Sequence, residues 1–337
     1  MRTTIVLDAM GSDERPKPEL AAAVLSTQTD DIDLILVGDE QTLSSGLAAQ
    51  PGDKSHIRIV HAPEAIDMTD HIQEARAKKQ NTMQVGMELV NQSEAQAFVT
   101  AGNTGMAMYF GTKIFGLMPG VIRPCLSTTF PVKGGKAVIL DVGANAECRP
   151  EFLVQFGQMG QVYARIMINR TNPTVGLLSN GEEEGKGNDL VREAGPLMRQ
   201  QVPGFIGNIE GKEFFGGKVD VAVTDGFTGN VLMKSSEALG KLLFETLKEE
   251  LMRSTRTKLG ALLAKPAFDS VRKLIDPSEV GAAPLLGLDG LVFVGHGRSD
   301  AKAMVSAINQ ARIAIELNLL ESLRKAITFT NTKESDS

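Results

Sequence analysis

Short runs of Val, Ile and Leu recur along the chain, and segments with helix-spaced apolar residues lie between them. The runs show little of the apolar–polar alternation that a strand with one solvent-facing side requires. Strands of this kind are covered by helices on both faces of a sheet. The pattern predicts an α/β fold, with a doubly wound, mostly parallel sheet in an αβα sandwich. The predicted strands are residues 4–7, 34–37, 57–60, 97–100, 137–140, 175–178, 219–223 and 291–294.

Bulk composition narrows the class of protein. The chain has 337 residues, and we expect one domain over residues 1–330 with a flexible polar tail over 331–337. An acid at Asp8 precedes any long apolar segment, so we expect no signal peptide. Two cysteines do not make a disulfide framework, which favours a reducing cytoplasm. A net charge of −6 and few aromatic residues argue against a nucleic-acid partner.

One segment, about residues 236–280, differs from the rest because leucines at helical spacing alternate there with many Lys and Arg residues. It predicts a helical hairpin that protrudes from the domain. The hairpin either packs on the body or on a second copy, or its tip contacts a membrane surface, where apolar and basic residues cooperate. The candidate membrane contacts are Leu251, Leu259, Leu262, Leu263 and Phe268.

Two turns have the same chemical character. The sequence AGNTG at 101–105 and the sequence DGFTGNVLMK at 225–234 each follow an apolar run and open a predicted helix. Strand ends that lead into helix N-termini are where α/β proteins hold anions. An ordinary turn with a helix cap accounts for either one alone, whereas the pair favours a cleft for a phosphate-like ligand. The candidate residues are Gly102, Asn103, Thr104, Asp225, Gly229, Asn230 and Lys234.

Further polar residues follow other predicted strands or lie in constrained loops. Each of these residues also has an ordinary structural explanation, as a helix cap, a solvated charge or a structural histidine. No dinucleotide fingerprint, complete P-loop or metal-binding signature is present, so we expect no cofactor and no metal. The additional candidates for substrate binding or catalysis are Asp8, Arg123, Asp141, Asn145, Lys186, Asn188, His296 and Ser299.

Nine blocks of sequence follow one another along nearly the whole chain: DAMGSD at 8–13, AGNTG at 101–105, RPCL at 123–126, LDVGAN at 140–145, PE at 150–151 with QF at 155–156 and MG at 159–160, GEEEGKGN at 181–188, GNIE at 207–210, DGFTGN at 225–230, and GAAPLLG at 281–287 through GHG at 295–297. Taken together, they resemble the bacterial phosphate acyltransferase family, the acyl-carrier-protein:phosphate transacylases. The chain departs from the pattern of that family at several positions: Ser12 for Gly, Thr100 for Ser, Ser179-Asn180 for Asn-Ile, Ala238 for Gly, Arg298 for Ser and Asp300 for Asn.

The resemblance implies that phosphate attacks the thioester of an acylated carrier protein and yields acyl phosphate for phospholipid synthesis. Phosphate is itself the nucleophile, so the site must only align the reactants and stabilise the oxyanion. On this basis we expect Asn103, Lys186 and Asn230 to be catalytic and the other candidates to bind substrate. The resemblance also implies a homodimer without metal, associated peripherally with the inner face of the cell membrane.

Two rival interpretations belong to other classes of protein. An oxidoreductase resembling isocitrate-type dehydrogenases shares the broad architecture, but requires metal-binding acids and a nucleotide loop that the sequence does not show together. A non-catalytic scaffold docked to a membrane needs only the hairpin. Phosphate-dependent loss of an acyl thioester discriminates the transferase from both rivals.

Overall fold

A computed structural model describes residues 2–29 and 31–335 of the chain. Its strands form one mixed sheet, in the spatial order β3-β2-β1-β4-β11-β10-β5-β6-β9-β7-β8. The strands are β1 (Thr3–Asp8), β2 (Ile32–Gly38), β3 (Ile57–His61), β4 (Ala97–Thr100), β5 (Cys125–Val132), β6 (Gly135–Leu140), β7 (Val175–Leu178), β8 (Phe205–Ile209), β9 (Val221–Val223), β10 (Ala282–Leu286) and β11 (Leu291–Gly295).

Helices cover both faces of this sheet, and one 3-10 turn, Pro277–Glu279, precedes β10. The helices are α1 (Lys17–Thr29), α2 (Glu40–Ala48), α3 (Ile72–Ala77), α4 (Thr82–Asn91), α5 (Thr104–Phe115), α6 (Pro150–Met167), α7 (Asp189–Gln201), α8 (Gly211–Phe215), α9 (Gly226–Met252), α10 (Thr255–Leu263), α11 (Lys265–Ile275), α12 (Ala301–Glu316) and α13 (Leu319–Ser335).

The predicted α/β class and the mostly parallel sheet are confirmed. All eight predicted strands are present, with ends shifted by a few residues. Three strands were missed because their sequences lack the continuous Val/Ile/Leu run: β5 is rich in Ser and Thr, β8 contains Gly and Asn, and β10 contains Pro284. Gly, Asn and Pro are poor strand formers by propensity, and pairing with neighbours overrides that preference.

The sheet consists of two parallel groups that run in opposite directions. The first group is β3-β2-β1-β4-β11, and the second is β6-β9-β7-β8. Three antiparallel pairings, β11 with β10, β10 with β5 and β5 with β6, separate the two groups. An odd number of reversals makes the carboxyl ends of the two groups face opposite edges of the sheet.

The predicted protruding hairpin is present as α9, α10 and α11. Helix α9 is 27 residues long, and Ser254 caps the start of α10 after the chain reverses. Leucines on both arms are exposed, for example Leu243 at 62% and Leu263 at 78%. No helix among the described residues is long and apolar enough to cross a bilayer. At the other end, α13 extends through residues 331–335 of the predicted tail, and residues 336–337 lie outside the described residues.

Glu19, in the first turn of α1, is a buried acid next to the first parallel group of strands. Its side chain is fully buried, and its Oε1 atom accepts a hydrogen bond of 3.2 Å from the backbone N–H of Ser12. Burial raises the pKa of Glu19 from 4.5 to about 7, and the nearby charge of Asp8 acts in the same direction. The folded protein therefore holds a proton on Glu19 over a pH range in which the unfolded chain releases it.

This proton makes stability depend on pH in a defined direction. Because the pKa of Glu19 is higher in the folded protein than in the unfolded chain, its bound proton contributes fully to stability below pH 4.5. That contribution is lost as the pH rises through about 7. Between pH 5 and pH 8 the free energy of unfolding of the wild type should fall, relative to that of Glu19→Gln, by roughly 2–3 kcal/mol. Denaturant unfolding at both pH values measures the difference. The exposed neighbour Glu14→Gln is the control, and parallel profiles for wild type and Glu19→Gln would contradict the prediction.

Candidate functional site

The structure gathers the predicted site residues into two clusters at opposite edges of the sheet. We name each by the strand ends that carry it. The first cluster lies at the ends of β1, β4 and β11 and consists of Asp8, Gly102, Asn103, Thr104, His296 and Ser299. The second cluster lies at the ends of β6 and β9 and in the loops beside them, and consists of Arg123, Asp141, Asn145, Lys186, Asn188, Asp225, Gly229 and Asn230.

In the first cluster, Asp8 organises the strand ends from within. Its carboxylate accepts hydrogen bonds from the Thr100 hydroxyl at 2.8 Å and from the backbone N–H of Met10 at 3.0 Å. The same Thr100 oxygen accepts the N–H of Gly102 at 2.9 Å. Asp8 is only 1% exposed, and burial raises its pKa. Asp8 therefore shapes the surface on which a ligand would lie.

Asn103 opens α5 as its N-cap. Its Oδ1 atom accepts the N–H of Met106 at 3.1 Å, and its Nδ2 atom donates to the carbonyl of Met68 at 3.0 Å. Both ends of the side chain thus take part in the local structure, and the predicted catalytic role of Asn103 stays a prediction. His296 is exposed beside it on the end of β11, and its Nδ1 atom accepts the N–H of Arg298.

In the second cluster, Asp141 is the organising residue. Its two carboxylate oxygens accept the N–H groups of Leu126, Gly143, Ala144 and Asn145 and the side-chain amide of Asn145, at 2.7–3.1 Å. Burial raises its pKa, and these hydrogen bonds oppose that shift. Asp141 thus holds the 141–145 loop against the start of β5, and its predicted role in substrate binding stays a prediction.

Helix α9 starts directly against this loop. A Cβ atom on Gly229 would lie 2.0 Å from the Asp141 carbonyl oxygen, so glycine is required for the close approach. The Asn230 amide donates to the carbonyl of Val142 at 2.9 Å, and the N–H of Gly226 donates to Asn145. These contacts fix the N-terminus of α9, and the Asn230 amide retains a second N–H.

Two helix N-termini open into one cavity of about 600 Å³. Asn188, the N-cap of α7, and Asp225, the N-cap of α9, both line it. The positive ends of two helix dipoles therefore meet at one place, which favours an anion. Sequence reasoning missed the remaining residues that line the cavity, which are Ala146, Glu147, Cys148, Leu190, Phe227 and Thr228. Phe227, in the first turn of α9, is 66% exposed, which is unusual for a phenylalanine.

The acidic loop beside the cavity is held by cations from outside it. Glu182 pairs with Lys212 at 2.8 Å, and Glu184 pairs with Arg199. Among the described residues, Lys186 has no carboxylate within ion-pair distance, and it is exposed. The loop therefore carries one cation that no described carboxylate neutralises, two residues before the N-cap of α7.

Neither cysteine has the character of a nucleophile. Cys125 is buried in the sheet, and burial raises its pKa well above the ordinary value. Cys148 lines the cavity, where burial raises its pKa to about 12 although the charge of Arg123 lowers it. Both residues are thiols at neutral pH, and the thiolate is the reactive form. The effect of Arg123 on Cys148 also shows that this cation lies near Cys148.

Helix α9 connects the two clusters. It begins at the second cluster, and Glu237 in its third turn lies in the field of His296 and Arg298 near the first cluster. Burial raises the pKa of Glu237, and those two charges together with Lys234 lower it. The stretch from residue 226 to residue 237 spans roughly 16 Å of helix. An elongated ligand along this path would reach both clusters.

Comparison with known proteins gives one family over almost the whole chain. The model of the family described as "Fatty acid synthesis protein" matches residues 3–322. The phosphate acyltransferase of Acidobacterium capsulatum is 45% identical over 313 residues, which are 92% of this chain and 93% of that protein. The phosphate acyltransferase of Thermus thermophilus is 43% identical over 325 residues and covers 96% and 98%, respectively.

Solved structures at low identity share the fold. A phosphotransacetylase from Streptococcus pyogenes superimposes with a TM-score of 0.63 at 16% identity, covering 97% of this chain and 94% of that one. EutD phosphotransacetylase from Staphylococcus aureus superimposes with a TM-score of 0.59 at 17% identity and with the same coverage. A putative 4-hydroxythreonine-4-phosphate dehydrogenase from Salmonella typhimurium superimposes with a TM-score of 0.52 at 12% identity, covering 93% of this chain and 99% of that one. The architecture alone therefore does not exclude a dehydrogenase. The sequence relatives decide the class: the chain belongs to the fatty acid synthesis protein family, as a relative of the phosphate acyltransferases, and is an acyltransferase.

Proposed function

We propose that this enzyme transfers a fatty acyl group from an acylated carrier protein to inorganic phosphate and so supplies acyl phosphate for phospholipid synthesis. The observation that carries the proposal is the meeting of two helix N-termini at one cavity, beside the exposed cation Lys186. Its relatives are phosphate acyltransferases, which supports phosphate as the acceptor.

In the proposed reaction, phosphate binds in the second cluster. The backbone N–H groups of Leu190 and Phe227, at the starts of α7 and α9, donate to its oxygens, and Lys186 and Arg123 offset its charge. One phosphate oxygen attacks the thioester carbonyl carbon, the new C–O bond forms, and the C–S bond breaks with its electron pair on sulfur. The carrier thiolate leaves and takes a proton from solvent. The second N–H of Asn230 is placed to stabilise the developing oxyanion.

We propose that the acyl donor lies along α9 between the clusters. Its reacting thioester is at the second cluster, and the rest of the donor extends to the first cluster, where Gly102, Asn103, Thr104, His296 and Ser299 contact it. Lys234 lies on the path in the second turn of α9. An elongated donor suits a site whose two polar ends are separated by roughly three turns of helix.

The hairpin carries two further proposals. Exposed leucines on α9, among them Leu239 at 56% and Leu242 at 59%, form an apolar face that a second copy would cover, giving a homodimer. Leu259, Leu262 and Leu263 on α10 are 61–78% exposed and have the basic residues of the hairpin around them, which suits reversible contact with an anionic membrane at the inner face of the cell. Leu251 and Phe268 are half-buried, so only part of each side chain is available for that contact.

The reaction itself is the first test. Purified enzyme with acylated carrier protein and inorganic phosphate should release carrier thiol and acyl phosphate, without added nucleotide or metal. Thiol titration and ³¹P NMR measure the two products. The Cys125→Ala, Cys148→Ala double variant should retain most of the activity, because both residues are thiols. Activity that does not need phosphate, or an acylated cysteine found by mass spectrometry, would refute the proposal.

Lys186 and Asn230 should both contribute to turnover, and Lys186 should contribute little to folding. Replacing either by alanine removes one transition-state contact worth up to roughly 3–4 kcal/mol, so kcat should fall 10- to 1000-fold. The thermal midpoint of Lys186→Ala should stay near that of the wild type, whereas Asn230→Ala should also lower the midpoint because it loses the hydrogen bond to Val142. Lys54→Ala, a half-buried lysine in the loop before β3 and outside both clusters, is the matched control. Wild-type kinetics of a variant at limiting phosphate would remove that residue from the site.

The tip of the hairpin should determine membrane binding. Changing Leu259, Leu262 and Leu263 to Glu removes about 1.5–3 kcal/mol of burial per side chain and adds charges that anionic lipid repels. The triple variant should no longer sediment with vesicles of anionic phospholipid, while its activity in solution and its dimer mass by light scattering are unchanged. Leu317→Glu, on an exposed leucine outside the hairpin, should sediment like the wild type. A triple variant that still binds vesicles would refute the membrane proposal. A triple variant that fails to fold or dimerise would refute it as well, and would show that the tip is a structural element.

A further inference from the structure

The turn at residues 9–13 connects β1 to α1 and forms one wall of the first cluster. Beneath it, Glu19 and Ser12 are buried together, at 0% and 2% exposed. The backbone N–H of Ser12 donates to Glu19 Oε1 at 3.2 Å. Two polar atoms of this pair, Ser12 Oγ and Glu19 Oε2, have no hydrogen-bond partner among the described residues, although each is completely buried.

One hydrogen bond between Ser12 Oγ and Glu19 Oε2 would satisfy both of these atoms. A neutral carboxyl group has one O–H donor and one carbonyl acceptor. Its acceptor takes the Ser12 N–H, as observed, and its donor is available to Ser12 Oγ. An ionised carboxylate at this place would be a buried charge next to the like charge of Asp8 on β1. A glycine at position 12 would offer the backbone N–H alone, so this pairing depends on the serine of this chain.

The outer side of the turn is in close contact with the other two strand ends of the cluster. A Cβ atom on Gly11 would lie 2.8 Å from Thr100 Oγ1 and 2.9 Å from the nitrogen of Gly102. The N–H of Asp13 donates to the carbonyl of Gly297 at 2.8 Å. Because these contacts leave no free space, a displacement of the turn would move Gly102 and the turn after β11 with it.

We infer that Glu19 is a positioning residue of the first cluster: it holds the 9–13 turn from beneath and thereby sets the places of Gly102 and of the turn after β11. The inference rests on the proposed function in one respect, that the first cluster contacts the acyl donor while phosphate binds at the second. Glutamine can reproduce both hydrogen bonds of the neutral carboxyl group, whereas alanine removes both and leaves the buried N–H of Ser12 unpaired.

Steady-state kinetics of Glu19→Ala and Glu19→Gln test the inference. The alanine variant should raise KM for the acylated carrier protein at least tenfold and leave KM for phosphate within twofold of wild type. The glutamine variant should stay within twofold for both. A purely structural loss would change both constants together. Equal changes in the two constants, or a glutamine variant that behaves like the alanine variant, would overturn the inference.

Two further measurements make the result independent of activity and of folding yield. Hydrogen exchange should rise in peptides covering residues 9–13 and 296–299 of Glu19→Ala and stay at the wild-type level in Glu19→Gln; equal exchange in all three proteins would overturn the inference even if the proposed reaction failed. If Glu19→Ala does not fold, Ser12→Ala is the second variant: it removes the hydroxyl and keeps the N–H, so KM for the acylated carrier protein and exchange at residues 9–13 should shift in the same direction by a smaller amount, and wild-type values of both would overturn the inference. Wild-type protein without phosphate-dependent acyl transfer would refute the proposed function alone.

Discussion

The antiparallel pairing of β5 with β6 determines at which edge of the sheet each parallel group ends. Strand β10 is antiparallel to both β11 and β5, so β5 runs in the direction of the first group, and its pairing with β6 makes the second group run the opposite way. The carboxyl ends of parallel strands are where α/β proteins bind ligands. A sheet with two such groups has two ligand-binding edges, and α9 is the element that runs from one to the other.

At each edge a buried carboxylate arranges the backbone before any ligand is present. Asp141 gathers N–H groups of the 141–145 loop, and Asp8 fixes Thr100 and through it Gly102. Beside these acids, the groups that the two clusters offer to a ligand are backbone N–H groups, amides and a few cations. Such a set holds an anion in place but provides no nucleophile. This chemistry suits transfer of an acyl group to phosphate, in which the substrate is the nucleophile.

The sequence predicted the fold class and the core strands well, because buried parallel strands are continuous apolar runs. It missed β5, β8 and β10, which lack a continuous Val/Ile/Leu run and form strands by pairing with neighbours in the sheet. The site residues were found as polar groups after strands, a purely local signal. That signal cannot distinguish a residue that faces a ligand from one that shapes a loop, and the hydrogen bonds that Asp8 and Asp141 make within their loops are visible only in the structure. Glu19 gave no signal, because an acid in the first turn of a helix is ordinary, and only the structure shows that it is buried.

The central claim is that phosphate attacks the acyl donor directly, with no covalent intermediate on the enzyme. Rapid mixing of enzyme with excess acylated carrier protein in the absence of phosphate tests this claim most directly. The account predicts no burst of free carrier thiol, and thiol release only after phosphate is added, with acyl phosphate formed in equal amount. A burst of thiol equal to the enzyme concentration before phosphate is added would show that the acyl group passes through the protein, and would contradict the account.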